Sequence, residues 1–195
     1  RFLSARKAEI SARFPGLNPQ QREAVLRTEG PLLLLAGAGS GKTTVLIQRV
    51  YNLLTYGRGS DTQEIPPQAS EADLAFLETY PQQPSEAERF RARELCAVDP
   101  APPWNVLAIT FTNKAAGELK VRLAARLGDA ANDVWASTFH SACVRILRRD
   151  IDRLGFGKDF TIYDTDDSKR VIRDLVKELK LEEKSFPPRE VLSVI

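Results

Sequence analysis

Apolar residues fall along this chain in two spacings, a helical one and a continuous one, and the two alternate. Residues 2 to 14 carry Leu3, Ile10 and Phe14 at helical spacing and stop at Pro15-Gly16, which predicts a short amphipathic helix. A second helix is predicted to open at Asn18-Pro19, because Asn is a good N-cap and Pro a good first helical residue. Leu32 to Leu35 is an unbroken apolar run, too short for a helix, and reads as a buried strand; Leu46, Val50, Leu53 and Leu54 then return to helical spacing. Val106 to Thr110 predicts a second buried strand. It is followed by a helix carrying Ala116, Leu119, Leu123 and Leu127 and closed by Gly128. A third strand is predicted at Val134 to Ser137, leading through Thr138-Phe139-His140 into a helix with Cys143, Ile146, Leu147 and Leu154. Strand and helix thus alternate three times. That pattern predicts an α/β fold, a parallel sheet flanked by helices, with ligands at the carboxyl ends of the strands.

One stretch breaks the rhythm. Residues 57–103 hold seven of the twelve prolines, and only Ala72 to Thr79 and Glu86 to Ala97 are candidates for helix there. The segment reads as a partly ordered insertion on the rim of the core. Near the end of the chain, Val171, Ile172, Leu175, Val176 and Leu179 predict a strongly amphipathic helix, and a further helix begins after Pro187-Pro188.

The chemistry concentrates between the first predicted strand and its helix. Residues 36–43 read Ala-Gly-Ala-Gly-Ser-Gly-Lys-Thr. A triphosphate needs backbone N–H groups, a helix N-terminus and a mobile cation to meet its charge. Gly37, Gly39 and Gly41 let the backbone come close, Ala36, Ala38 and Ser40 complete the loop, and Lys42 reaches the outer phosphates. The Thr43 hydroxyl suits Mg²⁺, a hard cation that prefers oxygen ligands. The general P-loop begins with Gly six residues before its Lys; here that position is Ala36. On the second helix, Gln20 or Gln21 offers an amide with both donor and acceptor, the chemistry for an adenine edge.

Composition adds limits. With 28 Lys and Arg against 26 Asp and Glu, the net charge of +2 does not by itself argue for a nucleic-acid partner. Arg145, Arg148, Arg149 and Arg153 are clustered, as a solvated helix face would be. Two cysteines and one histidine cannot supply a zinc site of the usual kind and give no sign of a disulfide framework. No apolar run approaches the roughly 20 residues of a membrane span, and no leader is visible, so the expectation is a cytoplasmic protein that does not engage a membrane.

Four segments in order carry a resemblance: Leu17-Asn-Pro-Gln-Gln-Arg-Glu-Ala-Val25, residues 36–43, Ala108-Ile-Thr-Phe-Thr-Asn-Lys-Ala-Ala116, and Ser137-Thr-Phe-His-Ser141. Together they resemble the N-terminal motif series of the UvrD/PcrA/Rep family of DNA helicases, whose P-loop also begins with Ala. The resemblance implies a RecA-like P-loop motor domain over residues 17–164, after an N-terminal helix at 1–16. It also implies that residues 165–195 open a helical inserted subdomain. It implies an ATP-dependent DNA helicase translocating 3′ to 5′ on single-stranded DNA, acting at single/double-strand junctions and in DNA repair, with ATP and Mg²⁺. By the same resemblance Gln21 reads adenine, Arg49 lies near the base, and residues 36–43 with Thr44 hold the phosphates. Lys42 and Thr43 are then the catalytic residues of the loop, with Thr43 on the metal. Phe111, Thr112, Asn113, Thr138, Phe139 and His140 match DNA-contacting positions, with Phe111 stacking on a base. Thr44 stands where relatives carry an arginine.

An acidic Asp-Glu pair, which the family needs to hold Mg²⁺ and activate water, occurs nowhere in the sequence. Asp164 to Asp167 is the nearest acidic run, and its place before an amphipathic helix predicts a helix cap instead. The expectation is an N-terminal piece of a helicase, inactive alone. A different P-loop NTPase and a non-catalytic nucleotide-binding module are the alternatives.

Overall fold

A computed structural model describes residues 1–37, 39–182 and 184–195. These divide into two compact units, Arg1–Ala142 and Cys143–Ile195.

The first unit opens with helix α1 (Phe2–Ala12), which buries Phe2 and Ile10, with Phe14 just beyond it. Phe2 takes the core position expected of Leu3, which is only partly buried. Helix α2 (Pro19–Leu26) starts as the residues dictate: the Asn18 side-chain Oδ1 accepts from the Gln21 N–H, and the Gln21 side chain accepts in return from the Asn18 N–H. Helix α3 (Lys42–Tyr56) is the central rod. One side packs with α1, α2 and the insertion around Ile10, Phe14, Val25 and Val45. The other buries Ile47, Val50 and Leu54 against Ala108, Ala136, Leu119 and Leu123.

The insertion folds as two short helices, α4 (Glu71–Glu78) and α5 (Glu86–Cys96), each begun by a Ser capping box at Ser70 and Ser85. Its two ends are sewn together. Gly57 bridges Val98, the Arg58 N–H donates to the Val98 carbonyl (2.8 Å), and the Val98 N–H donates to the Tyr56 carbonyl (3.0 Å). The excursion therefore leaves and rejoins the fold at one point, at the end of α3. Glycine is required there. A Cβ at Gly57 (φ +56°) would meet the Val98 carbonyl oxygen at 2.1 Å, and one at Gly59 would meet that of Cys96 at 1.9 Å. Buried Arg6 donates to the carbonyls of Glu64 (2.7 Å) and Thr62 (2.9 Å), tying the first turn of the insertion to α1.

After a 3-10 turn at Pro103–Asn105, strand β1 (Leu107–Thr110) leads into helix α6 (Asn113–Leu127). Strand β2 (Trp135–Thr138) leads into helix α7 (Phe139–Asp150). The strands pair in parallel, with Leu107 opposite Trp135 and Thr110 opposite Thr138, so both following turns leave from one sheet edge.

The first expected strand, Leu32 to Leu35, does not form. Residues 31–37 run without a ladder, and Leu33 and Leu35 are 82% and 91% exposed. A parallel strand exists only through a neighbour's hydrogen bonds, and among the described residues the one sheet is β1 with β2. The sheet is also covered on one face only. Ala108 and Ala136 point into the core, while Leu107 and Ile109 are 44% and 38% exposed, in contrast to the fully buried strand expected there.

The second unit, by itself, is helical. It contains the last turns of α7, then α8 (Thr165–Glu178) and α9 (Pro188–Val194), with Ile172 and Val176 buried. Asp164 caps α8 through its carboxylate, which accepts from the N–H groups of Asp166 and Asp167 (2.8 Å each). Those donors hold its carboxyl below the usual range. The clustered arginines serve the same unit: Arg148 lies over the Phe160 ring (4.6 Å) and Arg149 pairs with Asp150. No helix among the described residues is long and apolar enough to cross a membrane.

Candidate functional site

The glycine loop and α3 form one wall of a cavity of about 610 Å³, and α2 forms the other. Gln21, Ala36, Gly37, Ser40, Lys42 and Arg49 all line it, together with Asn18, Gln20 and the apolar Leu32, Leu34 and Leu35. Residues twenty or more apart in sequence, such as Gln21 and Lys42, are thus brought to one space. The loop is shaped by two glycines with positive φ, Gly39 (+74°) and Gly41 (+79°); Gly41 is the N-cap of α3. A Cβ on Gly41 would press on the Gln21 amide nitrogen at 2.9 Å, so Gly41 also makes room for α2. Ala38 lies outside the described residues.

Each candidate side chain has a defined position. The Lys42 ammonium donates to the carbonyls of Gly37 (2.6 Å) and Ala36 (3.2 Å), curling over its own loop. The Ser40 hydroxyl donates to the Gly37 carbonyl (2.8 Å). Thr43 is exposed in the first turn of α3, and among the described residues its hydroxyl forms no hydrogen bond. Gln21 uses both ends of its amide: Oε1 accepts in the capping box, and Nε2 donates to the Ser40 carbonyl (3.0 Å). The amide therefore couples the start of α2 to the loop. Gln20 lies on the cavity wall.

Arg49 reaches the C-terminal end of α2, donating to the carbonyls of Ala24 (2.6 Å) and Arg27. Burial lowers its basicity, partly offset by Asp61. Thr44 lines a separate cavity with Ile47, Gln48 and Arg122.

The set fits a magnesium triphosphate. A helix N-terminus with left-handed glycines supplies backbone donors, Lys42 supplies a cation held only by loop carbonyls, and Thr43 supplies a free oxygen at the right end of the helix. Among the described residues no cluster of His, Cys, Asp or Glu forms a metal site of its own. The Leu32, Leu34 and Leu35 side chains are the part the sequence reading did not assign to the site. Their apolar run signalled burial in a core, not a cavity wall.

The two turns that leave the sheet edge present the second group. Phe111 is 98% exposed, which excludes it from the core. Thr112 caps α6, its hydroxyl accepting from the Ala115 N–H (3.1 Å), and Asn113 is the first helical residue. Thr138 is buried and fixed by Ser141, whose N–H it accepts (3.3 Å) and whose hydroxyl lies 2.9 Å away. Phe139 is 60% exposed and His140 is exposed beside it. Thr110 stands opposite Thr138, so the two exposed rings follow paired strand ends. A ring held out at the carboxyl end of a parallel strand costs hydrophobic burial, and such positions are where ligands of parallel sheets sit.

The model of the UvrD/REP helicase N-terminal domain matches residues 17–65 and 91–195. The chain is 46% identical over 180 residues to the ATP-dependent DNA helicase PcrA of Bacillus subtilis, covering 92% of this chain and 19% of that protein. It is 43% identical over 186 residues to the PcrA helicase of Staphylococcus aureus strain Mu50, covering 95% and 20%. The PcrA helicase of Staphylococcus epidermidis is 41% identical over the same length. The chain thus spans about a fifth of the length of these curated relatives. Residues 66–90, which include α4 and the start of α5, lie outside the matched segments. The match over residues 17–65 and 91–195 shows that the chain belongs to the UvrD/REP helicase family, in its N-terminal domain.

Proposed function

We propose that this chain is the nucleotide-binding part of an ATP-dependent DNA helicase that moves along single-stranded DNA, 3′ to 5′ as the family resemblance implies. In this reading residues 17–164 belong to the first motor domain and residues 165–195 open an inserted helical subdomain. The observation that carries the reading is the shared cavity: Gln21, the glycine loop, Lys42 and Arg49 converge on one space at the N-terminus of α3. The Gln21 amide meets the adenine edge, Lys42 turns from the Gly37 carbonyl to the outer phosphates, and Arg49 flanks the base. Thr43 would hold Mg²⁺, which neutralises charge on the phosphates. DNA passes over the sheet edge, where Phe111 and Phe139 stack on bases and Thr112, Asn113 and His140 offer polar contacts to the strand. Single-stranded DNA and single/double-strand junctions are the expected DNA partners.

Because the sequence holds no Asp-Glu pair, the chain alone binds the nucleotide without turning it over. The test is an ATPase assay, with and without single-stranded DNA, on this chain and on the longest natural protein that carries it. The reading expects DNA-stimulated turnover by the longer protein and none by the chain. Multiple turnover by the chain, abolished by Lys42→Ala, would refute the division of labour; no turnover by the longer protein would refute the helicase.

A further inference from the structure

A second cavity, of about 490 Å³, lies between α1, α3, α5 and the end of α6. Arg13, Arg89, Arg93 and Arg126 line it with Tyr51 and Tyr80, and Glu9 is the one acidic residue among its walls. It is separate from the P-loop cavity. Tyr51 lies nine residues beyond Lys42 on α3, roughly 14 Å along the axis at 1.5 Å per residue. The P-loop cavity shares no lining residue with it.

Two of the four arginines have structural work. Arg13, the C-cap of α1, pairs with Glu9 and lies over the Tyr80 ring (4.6 Å). Arg126 lies over the Tyr51 ring (3.9 Å) and donates to the Arg13 carbonyl (3.4 Å), so it neutralises the end of α1. Arg89 and Arg93 have no such work. They lie one turn apart on α5, both exposed, and among the described residues neither side chain makes an ion pair or hydrogen bond. Like charges one helical turn apart repel, so the pair persists at a cost unless an anion lies between them. The buried hydroxyl of Tyr80 also lacks a hydrogen bond of acceptable geometry.

We propose that this cavity binds a phosphate group, held by the Arg89 and Arg93 guanidinium forks and walled by the Arg13–Tyr80 and Arg126–Tyr51 stacks. A tetrahedral phosphate offers oxygens to two forks at once, whereas a single carboxylate suits one. The volume is that of a small-molecule site. Tyr80 and Arg89 come from residues 66–90, so the site is built partly by the segment that the family model leaves unmatched. The phosphate has two sources, a free nucleotide or the backbone of a nucleic-acid strand.

The test uses the full chain with ¹⁵N-labelled arginine, following the Nε–H signals while titrating inorganic pyrophosphate, an oligothymidylate or glutamate. Saturable shifts of the Arg89 and Arg93 signals by pyrophosphate or the oligonucleotide are expected. Arg89→Gln with Arg93→Gln, followed on the Arg13 and Arg126 signals that remain at the cavity wall, should weaken binding roughly tenfold or more, as loss of charge-assisted hydrogen bonds does. The double variant should keep the thermal midpoint, since both side chains are exposed. Lys42→Ala should leave the event unchanged, which separates this site from the P-loop. Saturation by pyrophosphate alone assigns a free nucleotide. Saturation by the oligonucleotide, with a salt dependence that falls by about two phosphates in the double variant, assigns a strand backbone. Absence of saturable shifts with both phosphate probes, an equal response to glutamate, or unchanged affinity in the double variant would overturn the proposal.

Discussion

Gln21 performs two tasks, and two substitutions separate them. Its Oε1 completes the capping box of α2 and its Nε2 holds the Ser40 carbonyl of the glycine loop. Gln21→Ala removes both. Losing half a capping box costs about 0.5–1 kcal/mol and losing a partly exposed hydrogen bond about 1 kcal/mol, so the sum is about 1.5–2 kcal/mol. At roughly 2–4 °C per kcal/mol for a chain of this size, the melting temperature should fall by about 3–8 °C. Gln21→Glu keeps an oxygen where the Asn18 N–H needs one, and places a negative charge at a helix N-terminus, which favours it by about 0.3–1 kcal/mol. It loses only the Ser40 bond, so its melting temperature should lie within a few degrees of the parent. Neither variant has the amide donor. Titrations with fluorescent ATP and GTP analogues should therefore show both variants losing preference for ATP, although only Gln21→Ala is less stable. If Gln21→Glu keeps the parent's ATP affinity and ATP-to-GTP ratio, Gln21 is a helix cap and not an adenine reader.

Three further outcomes follow from the geometry. Phe111→Ala should leave the melting temperature unchanged, because the ring is 98% exposed, while single-strand affinity in the longer protein falls by roughly 1–3 kcal/mol with little base preference; filter binding and thermal melts read the two quantities apart. Gly59→Ala drives a Cβ against the Cys96 carbonyl oxygen and should destabilise the chain by about 2–4 kcal/mol in urea unfolding, whereas Gly117→Ala, with nothing within 4 Å, should stabilise α6 by about 0.5–1 kcal/mol. Asp73 is held at about 2 by the Arg91 guanidinium and then by Ser70, below its ordinary 3.8. A depressed carboxyl stabilises the folded chain above the ordinary value and ceases to do so as pH falls through the folded one, so α4 and α5 should loosen between about pH 4 and 2. Hydrogen exchange of the α4 amides follows this, and Asp73→Asn should abolish the acid step.

How much of this was legible in the sequence depended on whether a signal was local. The start of α2 was fully local: Asn18 and Pro19 cap a helix whatever surrounds it, and they do so. The two helices of the insertion were legible for the same reason, since Ser70 and Ser85 each carry an acid three residues on. Asp164 to Asp167 was rightly read as a cap from its place before an apolar period. Leu32 to Leu35 was misread because a strand is not a local object. Its apolar run specifies burial, but pairing needs a neighbour that no ladder supplies among the described residues. Phe111 was ambiguous for the opposite reason. An aromatic after a strand is compatible with core or crevice, and only the geometry of the turn, with Thr112 starting α6, turns it outward. The arginine cavity left no sequence signal at all. Its walls come from four helices, and nothing in the spacing of Arg89 and Arg93 along α5 shows that α1, α3 and α6 lie opposite them.

The central claim is that the cavity between α2 and α3 is a nucleotide site whose charge is met by Lys42. Calorimetric titration of Mg²⁺-ATP into the chain and into Lys42→Ala, at matched ionic strength, tests it most directly. The account predicts one saturable site in the parent chain. It also predicts a loss of at least about tenfold in the variant, the least expected on removing a charge-assisted contact to phosphate. Equal affinity in the two proteins, or no saturable binding by a folded parent chain, would contradict it.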